Sequence, residues 1–185
     1  MQASLNEAPK YGASACTNPL FRLIRSLGAS RAGRQRCQVN TFKVEKAAQV
    51  TAYFTLREDD SIDVLKVAKL VYLAERAYLD AYELPLIGDT LVAMPHGPVL
   101  SPTLDHVNSA TPDNPEWKHY VGTRDHSAVK AAHGVSIDNL EHLSIAAIEV
   151  LDEVWAKYGH LDGFALRDLT HDECAEWTEP KGGLA

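Results

Sequence analysis

The residue types best suited to chemistry are a histidine and a cysteine near the C-terminal end, His171 and Cys174. They are three positions apart, so on a helix both side chains project from the same side and can offer zinc one nitrogen and one sulfur ligand. A structural zinc site needs four such ligands, and the sequence has no second pair at a matching spacing. A zinc site therefore stays open as an alternative, but we expect His171 to pack locally and Cys174 to be partly buried.

A thiolate activated by a histidine is the second chemistry that these residues offer. Cys174 is the candidate nucleophile, with His96 or His171 as its base. The chain has 3 cysteines and 8 histidines, so such pairs arise easily by chance. A phosphate-binding glycine loop and a G-x-S-x-G nucleophile elbow are both absent from the sequence. We therefore expect no catalytic residue and no cofactor, and a small metal- or Cys-dependent hydrolase is kept as an alternative.

The segment His96-Gly97-Pro98-Val99 carries a different signal. Gly97 tolerates backbone angles that other residues avoid, and Pro98 fixes the angle that follows. A short predicted strand, Leu91–Met94, precedes the segment, and Ser101-Pro102 after it is a helix-start signal. This pattern is typical either of a tight turn from a strand into a helix or of a recognition loop, and both interpretations stay open.

The strongest helical pattern in the chain covers residues 61–82. A second apolar line on this helix, made of Leu65, Tyr72 and Leu79 at intervals of seven, lies opposite the main apolar face and beside Lys69 and Arg76. Such a helix is either packed on both sides at the centre of the fold or docks a partner through its second line. The main face, which predicts core, consists of Val67, Leu70, Val71, Ala74, Ala77, Tyr78 and Ala81.

The rest of the body predicts further helices and a few short strands. Thr170 and Glu173 have the spacing of a capping box, and Gly159 is placed to end a helix. The expected fold class is α+β, predominantly α-helical with a small antiparallel β element. Helices are expected over residues 43–57, 101–108, 137–158 and 162–169, and strands over residues 117–121 and 128–132 as well as 91–94.

Composition and charge define three segments. Residues 1–40 carry six Lys/Arg and one Asp/Glu, which gives a net charge of +5. Residues 41–185 carry 12 Lys/Arg and 24 Asp/Glu, which gives a net charge of −12. We expect a basic, flexible N-terminal extension over residues 1–40, a domain over residues 41–180 and a flexible tail over residues 181–185. An acidic body repels phosphate, so nucleic acid is an expected partner only through the basic arm.

Hydropathy and cysteine usage bear on the compartment. The sequence contains no apolar run long enough to span a membrane, and its three cysteines are too scattered for a disulfide framework. We therefore expect a cytoplasmic protein without a membrane partner.

Three stretches of the sequence, in this order, resemble the Panacea domain of SocA-like antitoxins from bacterial and phage toxin–antitoxin pairs. The first is Lys69-Leu70-Val71-Tyr72-Leu73-Ala74, followed by Leu84-Pro85-Leu86, and the second is His96-Gly97-Pro98-Val99 before a helix. The third is Val154-Trp155-Ala156-Lys157-Tyr158-Gly159, followed by Leu169-Thr170-His171 and Trp177. The resemblance covers about residues 43–180, and the Gly97-Pro98-Val99 stretch is its most specific part.

This resemblance implies a non-enzymatic antitoxin that binds and neutralises a cognate toxin. Some relatives act as adaptors that deliver the toxin to an AAA+ protease such as ClpXP, so this protease is a second implied partner. A DNA-binding regulator that uses the basic arm is the alternative from another functional class. We expect toxin contact on the exposed side of the 61–82 helix and on the following segment, at Leu65, Tyr72, Arg76, Leu79, His96, Gly97, Pro98 and Val99.

Overall fold

The computed structural model describes residues 42–180, so the basic arm and the predicted tail lie outside the described residues. Within this range the chain folds into helices and two small antiparallel sheets of two strands each, which confirms the α+β, mostly helical class. The elements in chain order are α1 (Val44–Arg57), β1 (Ser61–Asp63), α2 (Val64–Tyr82), β2 (Leu91–Met94), β3 (Gly97–Leu100), α3 (Ser101–Val107), α4 (Pro115–Tyr120), β4 (Ala128–Lys130), a 3-10 turn (Ile137–Asn139), α5 (Ile145–Tyr158) and α6 (Gly163–Glu173).

Helix α2 is the centre of the fold. It begins where the Asp63 carboxylate accepts hydrogen bonds from the backbone N–H groups of Leu65 and Lys66, at 2.9 and 3.1 Å. It then packs against α1, α5, α6 and strand β3, so the interpretation as a helix packed on both sides is confirmed. Its main apolar face joins the core through Val67, Leu70, Val71 and Ala74.

The middle of the second apolar line of α2 is buried rather than exposed, which corrects the sequence-based expectation. Tyr72 is 1% exposed and Lys69 is 0% exposed, although both were predicted on the side facing away from the core. The reason is tertiary, because α6 and the segment that follows it lie over this side of the helix. Leu65, Arg76 and Leu79 are half-buried.

The segment around Gly97 is a strand rather than the predicted loop. β2 matches the predicted strand, and it pairs with β3 through the two-residue turn Pro95–His96. Gly97 has a φ of +88°, a value that glycine adopts easily and other residues rarely do. Gly97, Pro98 and Val99 are buried, and of the four residues His96–Val99 only His96 is exposed. Most of this segment is therefore part of the packed fold and not a free loop.

Two other predicted boundaries are wrong for local reasons. Residues 117–121 were expected to form a strand, but α4 occupies residues 117–120 because the Asn114 side chain caps its first turn and Pro115 fits the first helical position. The predicted capping box at Thr170 lies inside α6, where the Thr170 hydroxyl donates to the Arg167 carbonyl at 2.8 Å.

Most other elements agree with the prediction. α1 and α3 match their predicted ranges closely, whereas the helix expected over residues 137–158 starts later, at Ile145 after the cap Ser144. β4 pairs with β1, and of residues 117–121 only Val121 pairs with the predicted 128–132 strand, through an isolated antiparallel bridge to Ala131. None of the helices in the described part of the chain has the length and apolar character needed to cross a bilayer.

Candidate partner-binding groove

A groove of about 250 Å³ opens between the start of α2, the β2–β3 hairpin and α3. Apolar side chains form most of its lining, and its rim carries exposed polar groups. We call it the hairpin groove, and it is lined by Asp63, Val64, Leu65, Ala68, Met94, His96, Val99, Leu104, Arg124 and Ser127.

One side of the hairpin groove is held by the pairing of β1 with β4. The Val64 N–H donates to the Ser127 carbonyl at 2.7 Å, which fixes the start of α2 beside the segment before β4. Arg124 reaches the rim from this segment, donating from Nε to the His126 carbonyl at 2.6 Å and from Nη1 to the Asn108 side chain. The guanidinium is therefore positioned by the fold and remains accessible at the edge of the groove.

The other side of the groove is the β2–β3 hairpin. Met94 is 40% exposed and Val92 is 37% exposed, and residues two apart on a strand point to the same face. Val92 therefore extends the apolar surface that Met94 presents to the groove. Val99, directly opposite Val92 in the register, forms the buried floor.

Behind the hairpin lies a buried lysine, Lys69, on the side of α2 that α6 covers. The Lys69 ammonium donates to the Pro98 carbonyl at 2.9 Å and so ties α2 to β3. Burial lowers the pKa of Lys69 to about 8. A side chain at Gly97 would meet this ammonium at 2.8 Å, so glycine is required there by space as well as by its backbone angle.

The residues after α6 bind both α2 and the β2–β3 hairpin. Glu176 Oε1 accepts hydrogen bonds from the Tyr72 hydroxyl at 2.6 Å and from Arg76 Nε at 2.8 Å. Trp177 donates from Nε1 to the Met94 carbonyl at 3.1 Å, which joins this segment to β2. We call residues 174–178 the C-terminal strap, since they connect α2 to the hairpin that forms the groove.

His171 and Cys174, the candidate zinc ligands, serve this strap as packing groups. The His171 ring stacks on Trp177 with 3.9 Å between ring centres and 5° between planes. Burial, and next the Lys69 charge, lower the pKa of His171, and burial raises the pKa of the Cys174 thiol. Across residues 42–180 no group of three or more His, Cys, Asp and Glu side chains is arranged to hold a metal ion. The expected local packing of His171 and burial of Cys174 are confirmed.

The predicted contact residues separate into four places. Leu65, His96 and Val99 come together in the hairpin groove. Gly97 and Pro98 lie behind it against Lys69, and Tyr72 and Arg76 bind Glu176. Leu79 lies further along α2 and does not line the groove. The prediction of an exposed Tyr72 and an exposed Gly97-Pro98-Val99 loop is therefore corrected.

Two acidic residues that hold neighbouring segments together were not predicted from the sequence. Glu75 is 4% exposed and accepts from the Ile87 N–H at 2.7 Å, which fixes the chain after α2, and burial raises its pKa. Asp89 likewise accepts from the Thr103 N–H at 2.9 Å and connects the approach to β2 with α3. Acidic residues are usually exposed, so only their tertiary surroundings reveal these roles.

Comparison of the chain with known proteins identifies the family to which it belongs. A family model for "Antitoxin SocA-like, Panacea domain" matches residues 67–178, more than half of the 185 residues. Neither the curated proteins nor the solved structures give a significant match. The matched range includes the β2–β3 hairpin, Lys69 and the C-terminal strap, and it supports an antitoxin role. The chain belongs to the SocA-like antitoxin family and carries its Panacea domain.

Proposed function

We propose that this protein is an antitoxin that acts by binding, without chemistry of its own, and that it neutralises a cognate protein toxin held in the hairpin groove. The observation that carries the proposal is the convergence of Leu65, His96 and Val99 in one accessible groove, within a chain of an antitoxin family. Grooves with an apolar floor and a polar rim are the common anchor points of protein interfaces.

The size and charge of the surface define the toxin segment that would fit. A volume of about 250 Å³ takes a few apolar side chains, which is the size of an interface hot spot rather than of a whole interface. The remaining contact area would come from the exposed face of β2 around Val92. The net charge of −12 over residues 41–185 favours encounter with a basic partner.

Alteration of the groove rim tests this proposal. Met94→Asp and His96→Asp place a charge at exposed groove positions, whereas Phe164→Asp and Ile145→Asp do the same at exposed apolar positions on α6 and α5, away from the groove. Each variant would be co-expressed with the product of the adjacent open reading frame as the candidate toxin. We expect at least tenfold weaker co-purification and loss of growth rescue for the two groove variants only.

Thermal unfolding within a few degrees of the wild-type value is the control for folding. Full toxin binding by both groove variants, or equal losses in the α5 and α6 variants, would contradict a toxin site in the groove. The same cultures distinguish blocking from delivery to an AAA+ protease such as ClpXP. A blocked toxin accumulates in the complex, whereas a delivered toxin disappears and returns when the protease is absent.

A further inference from the structure

Strand β2 is the outer strand of the hairpin, and its backbone is paired on one side only. Within residues 42–180, β3 is the one strand that pairs with β2. The Ser101 N–H donates to the Thr90 carbonyl at 2.9 Å, one residue before β2 begins. Hydrogen-bonded and non-hydrogen-bonded pairs alternate along an antiparallel ladder, so Val92 and Met94 are the residues of β2 that bond to β3.

The backbone groups of the other two residues of β2, Leu91 and Ala93, point away from β3. Pro98 stands opposite Ala93 and has no N–H group, which agrees with this alternation. The described part of the chain offers these groups no hydrogen-bond partner outside the hairpin. Ala93 is exposed and Leu91 is half-buried. Two N–H donors and two C=O acceptors are therefore left at the edge of the sheet, where another extended chain can pair with them.

The side chains of β2 leave this edge open to a further strand. Edge strands are commonly protected by a charged residue, a proline or a bulge, and Leu91–Met94 contains none of these. Val92 and Met94 are exposed on one face of the strand, and Met94 also lines the hairpin groove. A strand paired with β2 would place every second side chain beside this apolar face. The side chains between them would lie beside Ala93, which is small and exposed, so they can be long and polar.

The charge around the edge indicates the kind of chain that would pair with it. Trp177 donates to the Met94 carbonyl at 3.1 Å and stacks on His171, so the end of α6 and the C-terminal strap lie at the Met94 end of β2. Three exposed acidic residues lie close to these two aromatic residues in the chain: Asp172, Glu173 and Glu179. Residues 41–185 as a whole carry a net charge of −12. A basic partner is attracted to such a surface, whereas a second copy of this body is repelled.

We propose that β2 binds an extended segment of a basic partner protein as an added strand of the hairpin sheet. Main-chain hydrogen bonds to Leu91 and Ala93 hold the segment, and its apolar residues pack beside Val92 and Met94 in alternation with basic residues. The inference rests on the proposed function, because it states how the toxin is held at the hairpin groove. Since β2 has 4 residues, a segment of about four or five residues covers it.

Amide hydrogen exchange, followed by NMR at single residues, tests the added strand directly. In the free protein the amides of Leu91 and Ala93 should exchange faster than those of Val92 and Met94, which donate to β3. The probe is the product of the adjacent open reading frame, bound to the wild-type protein. We expect at least tenfold slower exchange at Leu91 and Ala93 in the complex. Unchanged exchange at both amides in a formed complex would overturn the proposal.

Two substitutions at Ala93 separate the role of the backbone from that of the side chain. Ala93→Pro removes the outward N–H without removing a bond to β3, and proline is tolerated on edge strands at such positions. Ala93→Val keeps the N–H and enlarges the side chain. We expect Ala93→Pro to weaken co-purification with the probe at least tenfold and Ala93→Val to leave it within twofold. Thermal unfolding is the folding control, and if Ala93→Pro does not fold, the exchange measurement on the wild-type complex decides.

The basic character of the segment has its own test. Asp172→Asn with Glu173→Gln should slow association with the probe at least threefold and leave its dissociation rate near the wild-type value. Asp138→Asn with Glu141→Gln removes two exposed charges between β4 and α5 and is the matched control, which should slow association less. Equal association rates for both double variants would overturn a basic segment at this edge.

The pattern of losses distinguishes this proposal from the proposed function. If Met94→Asp abolishes binding while a folded Ala93→Pro binds fully, the toxin uses the groove without adding a strand, and only this inference fails. If the wild-type protein does not bind the probe at all, both fail. Slow exchange at Leu91 and Ala93 in the free protein that is lost on dilution would also overturn the inference, in favour of pairing between two copies.

Discussion

The buried ammonium of Lys69 donates a hydrogen bond to the Pro98 carbonyl at 2.9 Å and so joins the central helix to the inner strand of the hairpin. This bond places a charge where the side chain has 0% exposure, and the pKa of Lys69 falls to about 8 as a result. The unfolded chain keeps the ordinary lysine pKa of 10.5. Protonation therefore favours the unfolded state over the folded state.

Stability should rise with pH between about 8 and 10.5 because of this lysine. Over that window the unfolded state binds more protons at Lys69, so the free energy of unfolding increases, by roughly 2 kcal/mol between pH 8 and 10 for a group of this kind. The raised pKa of Cys174 acts in the opposite direction at high pH. Urea titrations of wild type and Lys69→Met at both pH values isolate the lysine, and the free energy of unfolding of wild type relative to Lys69→Met should increase as the pH rises. A difference that does not change with pH would contradict the prediction.

Gly97→Ala should destabilise the fold more than Gly134→Ala. Both glycines have left-handed backbone angles, with φ of +88° and +80°. A Cβ at Gly97 would lie 2.8 Å from Lys69 Nζ and 3.0 Å from the His171 ring, whereas one at Gly134 would meet nothing within 4 Å. We expect about 1 kcal/mol of backbone strain at either site and about 1–2 kcal/mol more at Gly97. Urea denaturation of both variants measures the difference, and equal losses would show that the Lys69 and His171 side chains move aside at little cost in free energy.

Glu176→Gln should loosen the C-terminal strap. The substitution removes the charge that pairs with Arg76 and accepts from Tyr72, and a hydrogen bond to a charged group contributes about 1.5–3 kcal/mol. We expect faster amide hydrogen exchange over residues 174–178 and a lower unfolding temperature. Glu179→Gln, at an exposed position two residues past the strap's Trp177, is the matched control and should change neither. Unchanged exchange in Glu176→Gln would mean that packing alone holds the strap.

Trp177→Ala should raise the pKa of His171 towards the ordinary value of 6.5. Burial is the main cause of the lowered pKa, and the stacked indole covers the imidazole. Removal of the indole hydrates the ring and makes its protonated form less costly. Trp177→Phe keeps a ring on His171 but loses the hydrogen bond to Met94, so it should retain most of the shift. NMR titration of the His171 ring protons measures both, and an identical pKa in wild type and Trp177→Ala would assign the shift to Lys69 instead.

The sequence predicted those elements that local patterns determine. Helix α1 and helix α2 bury one face at a regular spacing, and this periodicity is visible without the fold. Residues 117–121 show an imperfect alternation that predicts a strand, but the Asn114 cap and Pro115 start a helix there. Lys69 lies opposite the main apolar face of α2, as its helical spacing predicts, and only the packing of α6 over that side of the helix buries it.

The groove was predictable only in part. Leu65, His96 and Val99 were among the expected contact residues, and the structure brings them together, although contact with a toxin stays a prediction. Arg124 was not expected, because it reaches the groove through the pairing of β1 with β4. That pairing joins segments more than 60 residues apart, which no local pattern reveals.

The β1–β4 sheet also determines how the domain can be shortened. The family match begins at residue 67, after β1 and after Asp63, Val64 and Leu65. A fragment cut to the matched residues would leave Ala128–Lys130 as an unpaired edge, remove the cap of the central helix and take away one side of the cleft. A fragment that keeps the β1–β4 sheet, the helix cap and all sides of the cleft therefore starts upstream of Ser61, and domain boundaries drawn from family similarity alone would cut through this architecture.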